Sequence, residues 1–186
     1  NTIDKILTIV SNQLKDDLAI HYKKEIKQVG MCHYGNVGLV ILTSDMENIN
    51  EIINCRGVPI GLYFTSLKGS IGLRVQYKSD VFTFVVLHLN AGEQEIHYKR
   101  RNKDLKTVLT GIKFDDGLSV LKPDSHCFLL GDFNYRVNSK GEDEFKSVFK
   151  SHLIHFQESP VNFQPSYKFK IGSDQYDSKR VPSWCD

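Results

Sequence analysis

Little in this chain points to secretion, membrane insertion or a stapled fold. Its four cysteines, Cys32, Cys55, Cys127 and Cys185, are widely scattered with no paired spacing, so neither a zinc site nor a disulfide framework is signalled and free thiols are expected. No apolar run approaches the roughly 18 residues that a membrane span needs, and the N-terminus lacks the basic-then-apolar order of a signal peptide. An excess of one charge is missing too. Lys plus Arg number 24 against 22 for Asp plus Glu, a formal charge of +2, so any site for a polyanion must be local. There is no internal repeat and no low-complexity tract. What is present, 186 residues with 40% hydrophobic and 25% charged, suits one soluble domain at most, expected in the cytoplasm. The chain begins without methionine and stops at "PSWCD", so it is expected to be a piece of a longer protein.

Periodicity supplies the elements. Ile3, Ile6, Leu7, Val10, Leu14 and Leu18 recur at three- and four-residue steps behind Thr2, a candidate N-cap, which predicts an amphipathic helix. "GLVILTS" from Gly38 and the alternating "SIGLRVQY" from Ser70 read as strands, and Met46 to Ile53 between them as a short helix or a polar loop. "VFTFVVLHLN", Val81 to Asn90, is apolar at nearly every position, as in a central strand covered on both faces. Ile96, Leu105, Val108, Leu109 and Ile112 then define a helix whose other face, Lys99, Arg100, Arg101, Lys103 and Lys106, reads as solvated. "HCFLLGDF" is the next buried strand, Phe145, Val148, Phe149 and Leu153 suggest another helix, and the remainder should be loop. Buried strands separated by amphipathic helices describe an α/β protein, in which polar groups gather where strands end.

Three such groups stand out. His88 ends one strand, and Asp132 and Asn134 follow another in "GDFN". Each has a bland reading: Gly-Asp-x-Asn is a good turn in which the side chains bond their own backbone, and a histidine inside "VVLHLN" is often a core residue. "PSYKFK" and "KRVPSWCD" would each pass as a loop taken singly.

Taken together, "VVLHLNAG", "RRNKD", "LLGDFNYRV", "FQPSYKFK" and "KRVPSWCD", in that order from Val85 to Asp186, resemble the inositol polyphosphate 5-phosphatases. "PSWCD" after "PSYK" is the most diagnostic part. The wider superfamily, with its apurinic endonucleases, deoxyribonuclease and neutral sphingomyelinases, shares the histidine and Gly-Asp-x-Asn but lacks the last two motifs, which favours an inositide over a nucleic acid. The resemblance implies a deoxyribonuclease-like four-layer fold, a two-sheet sandwich flanked by helices, with residues 1–186 forming part of the catalytic domain and incomplete at both edges.

The implied roles suit phosphate monoester hydrolysis. Asp132 would orient and deprotonate the attacking water, Asn134 would hold the scissile phosphate or a metal-bound water, and His88 would donate to a phosphate oxygen. Mg2+ is the implied cofactor. Tyr167 and Lys168 would contact the phosphate next to the one removed, supported by Lys179 or Arg180. Arg136 would brace the site by pairing with a carboxylate. Lys68 matches the lysine of the family's Lys-Gly-Gly turn, which approaches the phosphate tethering the lipid; where the second glycine stands this chain has Ser70. The family's principal metal ligand, a glutamate, and a closing Ser-Asp-His motif find no match, so they are expected before Asn1 and after Asp186, and residues 1–186 by themselves are expected to be inactive and prone to stick through exposed sheet edges. The implied partners are a phosphoinositide headgroup or a soluble inositol phosphate, with peripheral membrane contact, no nucleic acid, and a monomeric state. A non-catalytic inositide-binding module and a nuclease of the same superfamily are the competing readings.

Overall fold

Alternating branched and aromatic residues build the sheets of the computed structural model, which describes residues 2–61 and 67–186. In chain order the elements are α1 (Thr2–Tyr22), β1 (Lys27–Tyr34), β2 (Val37–Thr43), β3 (Ile49–Asn54), β4 (Val58–Pro59), β5 (Gly69–Tyr77), β6 (Asp80–His88), α2 (Glu95–Gly111), β7 (Ser125–Asp132) and α3 (Glu144–His152). They fall into two compact units. The first runs up to His88 and takes in Thr107–Leu130; the second takes Leu89–Lys106 and Gly131–Asp186.

The first unit is a sandwich. β1 and β2 form an antiparallel hairpin about Gly35-Asn36, where Gly35 has φ 54°, a value this type of two-residue turn demands. The larger sheet runs β3-β5-β6-β7, with β4 also paired to β5. β1 and β2 lie over β3, β5 and β6, and α1 covers the hairpin from outside. Between the sheets Val37, Leu39, Ile71 and Leu73 are buried with Phe84 and Val86 packed against them, each large side chain contributing about 1.5–3 kcal/mol when fully buried. On the other face of β5 the Arg74 guanidinium is fully buried: Nε donates to Thr83 (3.0 Å), Nη1 to Asp116 (2.6 Å) and Nη2 to the Ser119 carbonyl (2.7 Å), above the Phe114 ring.

In the second unit α3 is capped by Asp143, whose side chain accepts from Phe145 N at 2.9 Å. Phe145 meets Phe133 edge-on at 5.4 Å and Tyr135 at a tilt at 5.7 Å between ring centroids. The long segment after α3 is irregular, pinned by bridges between Tyr167 and Ser183 and between Phe169 and Tyr176.

The expected α/β sandwich is therefore present, with local corrections. Thr2 lies inside α1 rather than capping it. Met46 to Ile53 is neither a helix nor a loop throughout: a 3-10 turn at Met46–Asn48 leads into β3, whose bulge between Ile49 and Glu51 breaks the alternation that would have marked it. β1 carries no sequence signal because glycine and polar residues interrupt it. α1 presents Leu7 and Ser11 to the hairpin, while Ile6, Val10 and Leu14 of the supposed buried stripe stay exposed, since a two-stranded sheet covers only a narrow strip of helix. Ile96 is exposed as well. β7, expected as a buried strand, alternates half-buried and exposed residues instead, leaving Phe128 47% exposed. Arg101, assigned to a solvated face, is fully buried.

β4, β5 and Tyr34 meet closely in the sandwich. A Cβ on Gly69 would stand 2.7 Å from the Tyr34 ring and 2.8 Å from the Val58 carbonyl oxygen, and backbone cannot swing aside. Gly69→Ala should lower the unfolding free energy by about 1–3 kcal/mol, read from the urea midpoint. An unchanged midpoint would show that β4 is free to move away.

Candidate active site

The end of β7 is shaped by its own side chains. Asn134 sits at φ 57°, a left-handed conformation that asparagine tolerates better than most residues, and its N–H donates to Asp132 Oδ1 at 2.9 Å. The bland turn predicted for Gly-Asp-x-Asn is thus real. It is also anchored. Leu89 N donates to the Asp132 carbonyl (2.9 Å), and Asn134 Nδ2 donates to the Leu89 carbonyl (2.9 Å) and to Asp132 Oδ2 (3.1 Å). Both oxygens of the Asp132 carboxylate are held by one neighbour. Asn134 is buried, and both of its amide hydrogens are engaged in this arrangement.

Arg136 closes the second side. Its Nη2 donates to Asn134 Oδ1 at 2.6 Å, its Nη1 to Cys185 Sγ at 3.1 Å, and the guanidinium carbon lies 4.2 Å from the centre of the Tyr167 ring. The brace expected between Arg136 and a carboxylate therefore takes another form, an amide oxygen, a thiol and an aromatic face. Arg180 reaches the same tyrosine, Nη1 donating to the hydroxyl at 2.5 Å. Cys185 in turn ties the C-terminal motif to the turn, its carbonyl accepting from Phe133 N (2.8 Å) and Asn134 N (3.2 Å). Asp132, Asn134, Arg136, Tyr167 and Arg180 are thus brought together within the second unit. Lys168 follows Tyr167 and is exposed; Lys179 is exposed in a turn held by its own N–H to Asp177 Oδ1 at 3.0 Å.

In the first unit Lys68 Nζ meets His88 Nε2, and Ser70 is buried in β5 opposite Leu87. Serine at the family's second glycine is accommodated inside the strand.

Residues not singled out from the sequence complete the site. Arg101 Nη2 donates to Glu144 Oε2 (2.6 Å) and Nη1 to the Gly92 carbonyl (2.7 Å), and the same Glu144 oxygen accepts from Arg136 N (2.9 Å). Asn90 Nδ2 donates to Asp104 at 2.6 Å, and burial raises the Asp104 carboxyl above its ordinary range despite that bond. The available signal was spacing: Arg101 stands four residues before Leu105, on the helix's apolar side.

Metal binding is a separate question. Among the described residues no group of three or more His, Cys, Asp or Glu side chains could hold an ion. Asp132 and Asn134 offer one carboxylate and one amide, which do not make a metal cage of their own.

Fold, ordered motifs and the geometry of this turn point one way. A profile of the Endonuclease/Exonuclease/phosphatase family 2 matches residues 7–186, and the chain belongs to that family. The resemblance to the inositol polyphosphate 5-phosphatases is borne out by its relatives: human synaptojanin-2 is 33% identical over 141 residues, 64% of this chain and 9% of that protein. The inositol-1,4,5-trisphosphate 5-phosphatase 1 of Schizosaccharomyces pombe is 31% identical over 141 residues, 64% of this chain and 13% of that protein. Among solved structures, the inositol polyphosphate 5-phosphatase domain of SPsynaptojanin, in complex with inositol (1,4)-bisphosphate and calcium ion, superposes with a TM-score of 0.76 at 25% identity. That likeness covers 95% of this chain and 58% of the solved domain. The chain therefore spans only a part of each of these relatives.

Cys185, central to the turn, has a testable chemistry. Burial pushes its thiol up to about 11, with the Arg136 guanidinium pulling the other way. At pH 8 only about a thousandth of it is thiolate, so iodoacetamide should leave Cys185 unmodified in the native protein and alkylate it after denaturation. Native labelling at the rate of a free cysteine, followed by mass spectrometry, would show that the site is open.

Proposed function

We propose that residues 1–186 are part of the catalytic domain of a phosphoinositide 5-phosphatase. The observation that carries this reading is the fixed Asp132 carboxylate, in a fold of which one solved relative is in complex with inositol (1,4)-bisphosphate, the compound left when the 5-phosphate departs from inositol 1,4,5-trisphosphate. Asp132, held through both oxygens, would orient a water and take its proton as that water attacks phosphorus in line with the departing inositol oxygen. With both of its amide hydrogens committed, Asn134 serves chiefly to hold Asp132. His88, with Lys68 on its Nε2, would donate to a phosphate oxygen from the other ring nitrogen or once the lysine has turned to the anion. Tyr167 and Lys168 would recognise the neighbouring phosphate, with Arg180 holding the tyrosine hydroxyl and Lys179 adding positive charge. Mg2+ is the proposed cofactor, because a hard cation suits phosphate oxygens and retains waters; bound, it would neutralise phosphate charge, with Asp132 as a candidate carboxylate ligand.

The test uses the full-length protein on a panel of inositides, with and without Mg2+, read as released phosphate. The wild type should release phosphate from phosphatidylinositol 4,5-bisphosphate or inositol 1,4,5-trisphosphate, and Asp132→Asn should lose about 10²–10⁴-fold at an unchanged melting temperature. Turnover retained by the variant would remove Asp132 from the chemistry. Tight inositide binding without phosphate release by the wild type would replace the hydrolase with a binding module.

The same reading includes a monomer in the cytoplasm, peripheral at membranes and without a nucleic-acid partner. Of these, the membrane contact is supported by a turn in which Ile171 is fully exposed between the exposed side chains of Lys170 and Ser173, with Phe169 and Lys168 beside it. An apolar tip preceded by two lysines suits an anionic lipid surface. Ile171→Glu should reduce sedimentation with vesicles containing phosphatidylinositol 4,5-bisphosphate while turnover of soluble inositol trisphosphate stays at the wild-type level. Equal vesicle binding by both proteins would take this turn out of the membrane contact.

A further inference from the structure

We infer that Arg101 and Glu144 are positioning residues, which hold the Arg136 backbone so that its guanidinium clamps Asn134 and, through it, Asp132. The inference rests on the hydrolase reading of Asp132 and extends it to residues to which that reading gives no role. The contacts form an unbroken series. Arg101 Nη2 donates to Glu144 Oε2 (2.6 Å), which also accepts from Arg136 N (2.9 Å); Arg136 Nη2 donates to Asn134 Oδ1 (2.6 Å), and Asn134 Nδ2 donates to Asp132 Oδ2 (3.1 Å). Arg101 is held at its far side by the Gly92 carbonyl, so the series has a fixed origin in the segment that follows Asn90.

Stability is a poor account of this arrangement. Arg101 is wholly buried, and its Nε has no hydrogen-bond partner among the described residues; the Nε of buried Arg136 is in the same state. An unsatisfied buried donor costs energy, and apolar residues of similar size commonly replace a buried ion pair with no loss of stability. What apolar residues cannot reproduce is the aim of the Arg136 guanidinium at the amide oxygen. Asn134 needs that aim. With its Oδ1 fixed by Arg136, its two amide hydrogens are left pointing at Leu89 and Asp132, and the carboxylate is locked in one orientation.

The test compares Glu144→Ala, Glu144→Gln and Val148→Ala in the full-length protein. Val148 is buried in the same helix and takes no part in the series, so it reports loss of stability alone. Glu144→Ala should lower kcat about 10- to 100-fold with KM within a factor of about two, because the damage is to orientation rather than to binding. Glu144→Gln keeps an oxygen acceptor for Arg136 N and should recover much of the loss; Val148→Ala should keep the wild-type kcat. A second readout does not depend on turnover: solvent exchange of the Asn134 side-chain amide protons, followed by NMR, should quicken in Glu144→Ala and stay slow in Glu144→Gln and Val148→Ala. Unchanged amide exchange in a folded Glu144→Ala protein would overturn the inference whether or not the protein hydrolyses inositides, as would a Val148→Ala variant with the same kcat loss. A wild type without phosphatase activity but with the predicted exchange pattern would overturn only the hydrolase reading, leaving the positioning role in place.

Discussion

Everything around the candidate site depends on the pairing of Leu89 with the end of β7. Leu89 N donates to the Asp132 carbonyl, and the Leu89 carbonyl accepts from the Asn134 side chain. A buried amide must satisfy its donors, and Asn134 does so with its backbone in the left-handed region, which also brings its N–H to Asp132 Oδ1 and the Cys185 carbonyl. The turn and the orientation of the carboxylate are therefore one event. Asp-x-Asn serves here as local structure and as a candidate catalytic device at once, so the two readings of the motif never competed.

Two fully buried arginines show how the same side chain meets different demands. Arg74 in the first unit has Nε, Nη1 and Nη2 all donating and lies over Phe114, a satisfied state that suits a structural role. Arg101 in the second unit spends its Nη groups on Gly92, Asn90 and Glu144 and leaves Nε without a partner among the described residues. Buried charge is costly unless fully paired. The incomplete pairing at Arg101 thus separates a residue kept for what it aims from one kept for what it holds together.

Much of the fold was legible because periodicity is local. β2, β5, β6 and α3 carry their apolar pattern within a single segment and were read with nearly their observed limits. β1 and β3 were not, since Gly30 and the bulge near Ile49 interrupt the alternation, and their strand character comes from the partners β2 and β5. The candidate site was legible as ordered motifs, not as contacts. Asp132, Asn134, Arg136, Tyr167 and Arg180 meet in the structure, but spacing gave no hint that Arg136 would reach an amide and a thiol. Arg101 was misread for a related reason. Charge suggested solvent, and the burial that overrides it requires Glu144, forty-three residues away.

Sheet width accounts for the remaining mismatch. The hairpin of β1 and β2 lies over β3, β5 and β6, while the larger sheet continues to β7. On the face toward the hairpin Phe82 stacks on His126 and Phe84 on Phe128, yet Phe128 and Leu130 remain 47% and 40% exposed. These are residues of a strand suited to burial, so the sequence was sound about what β7 is and uninformative about what lies over it. The exposed stripe of α1 follows from the same narrowness, since two strands cannot receive Leu7 and also Ile6, Val10 and Leu14. The apolar surface left open on β7 and α1 is of the kind that packing against another layer removes.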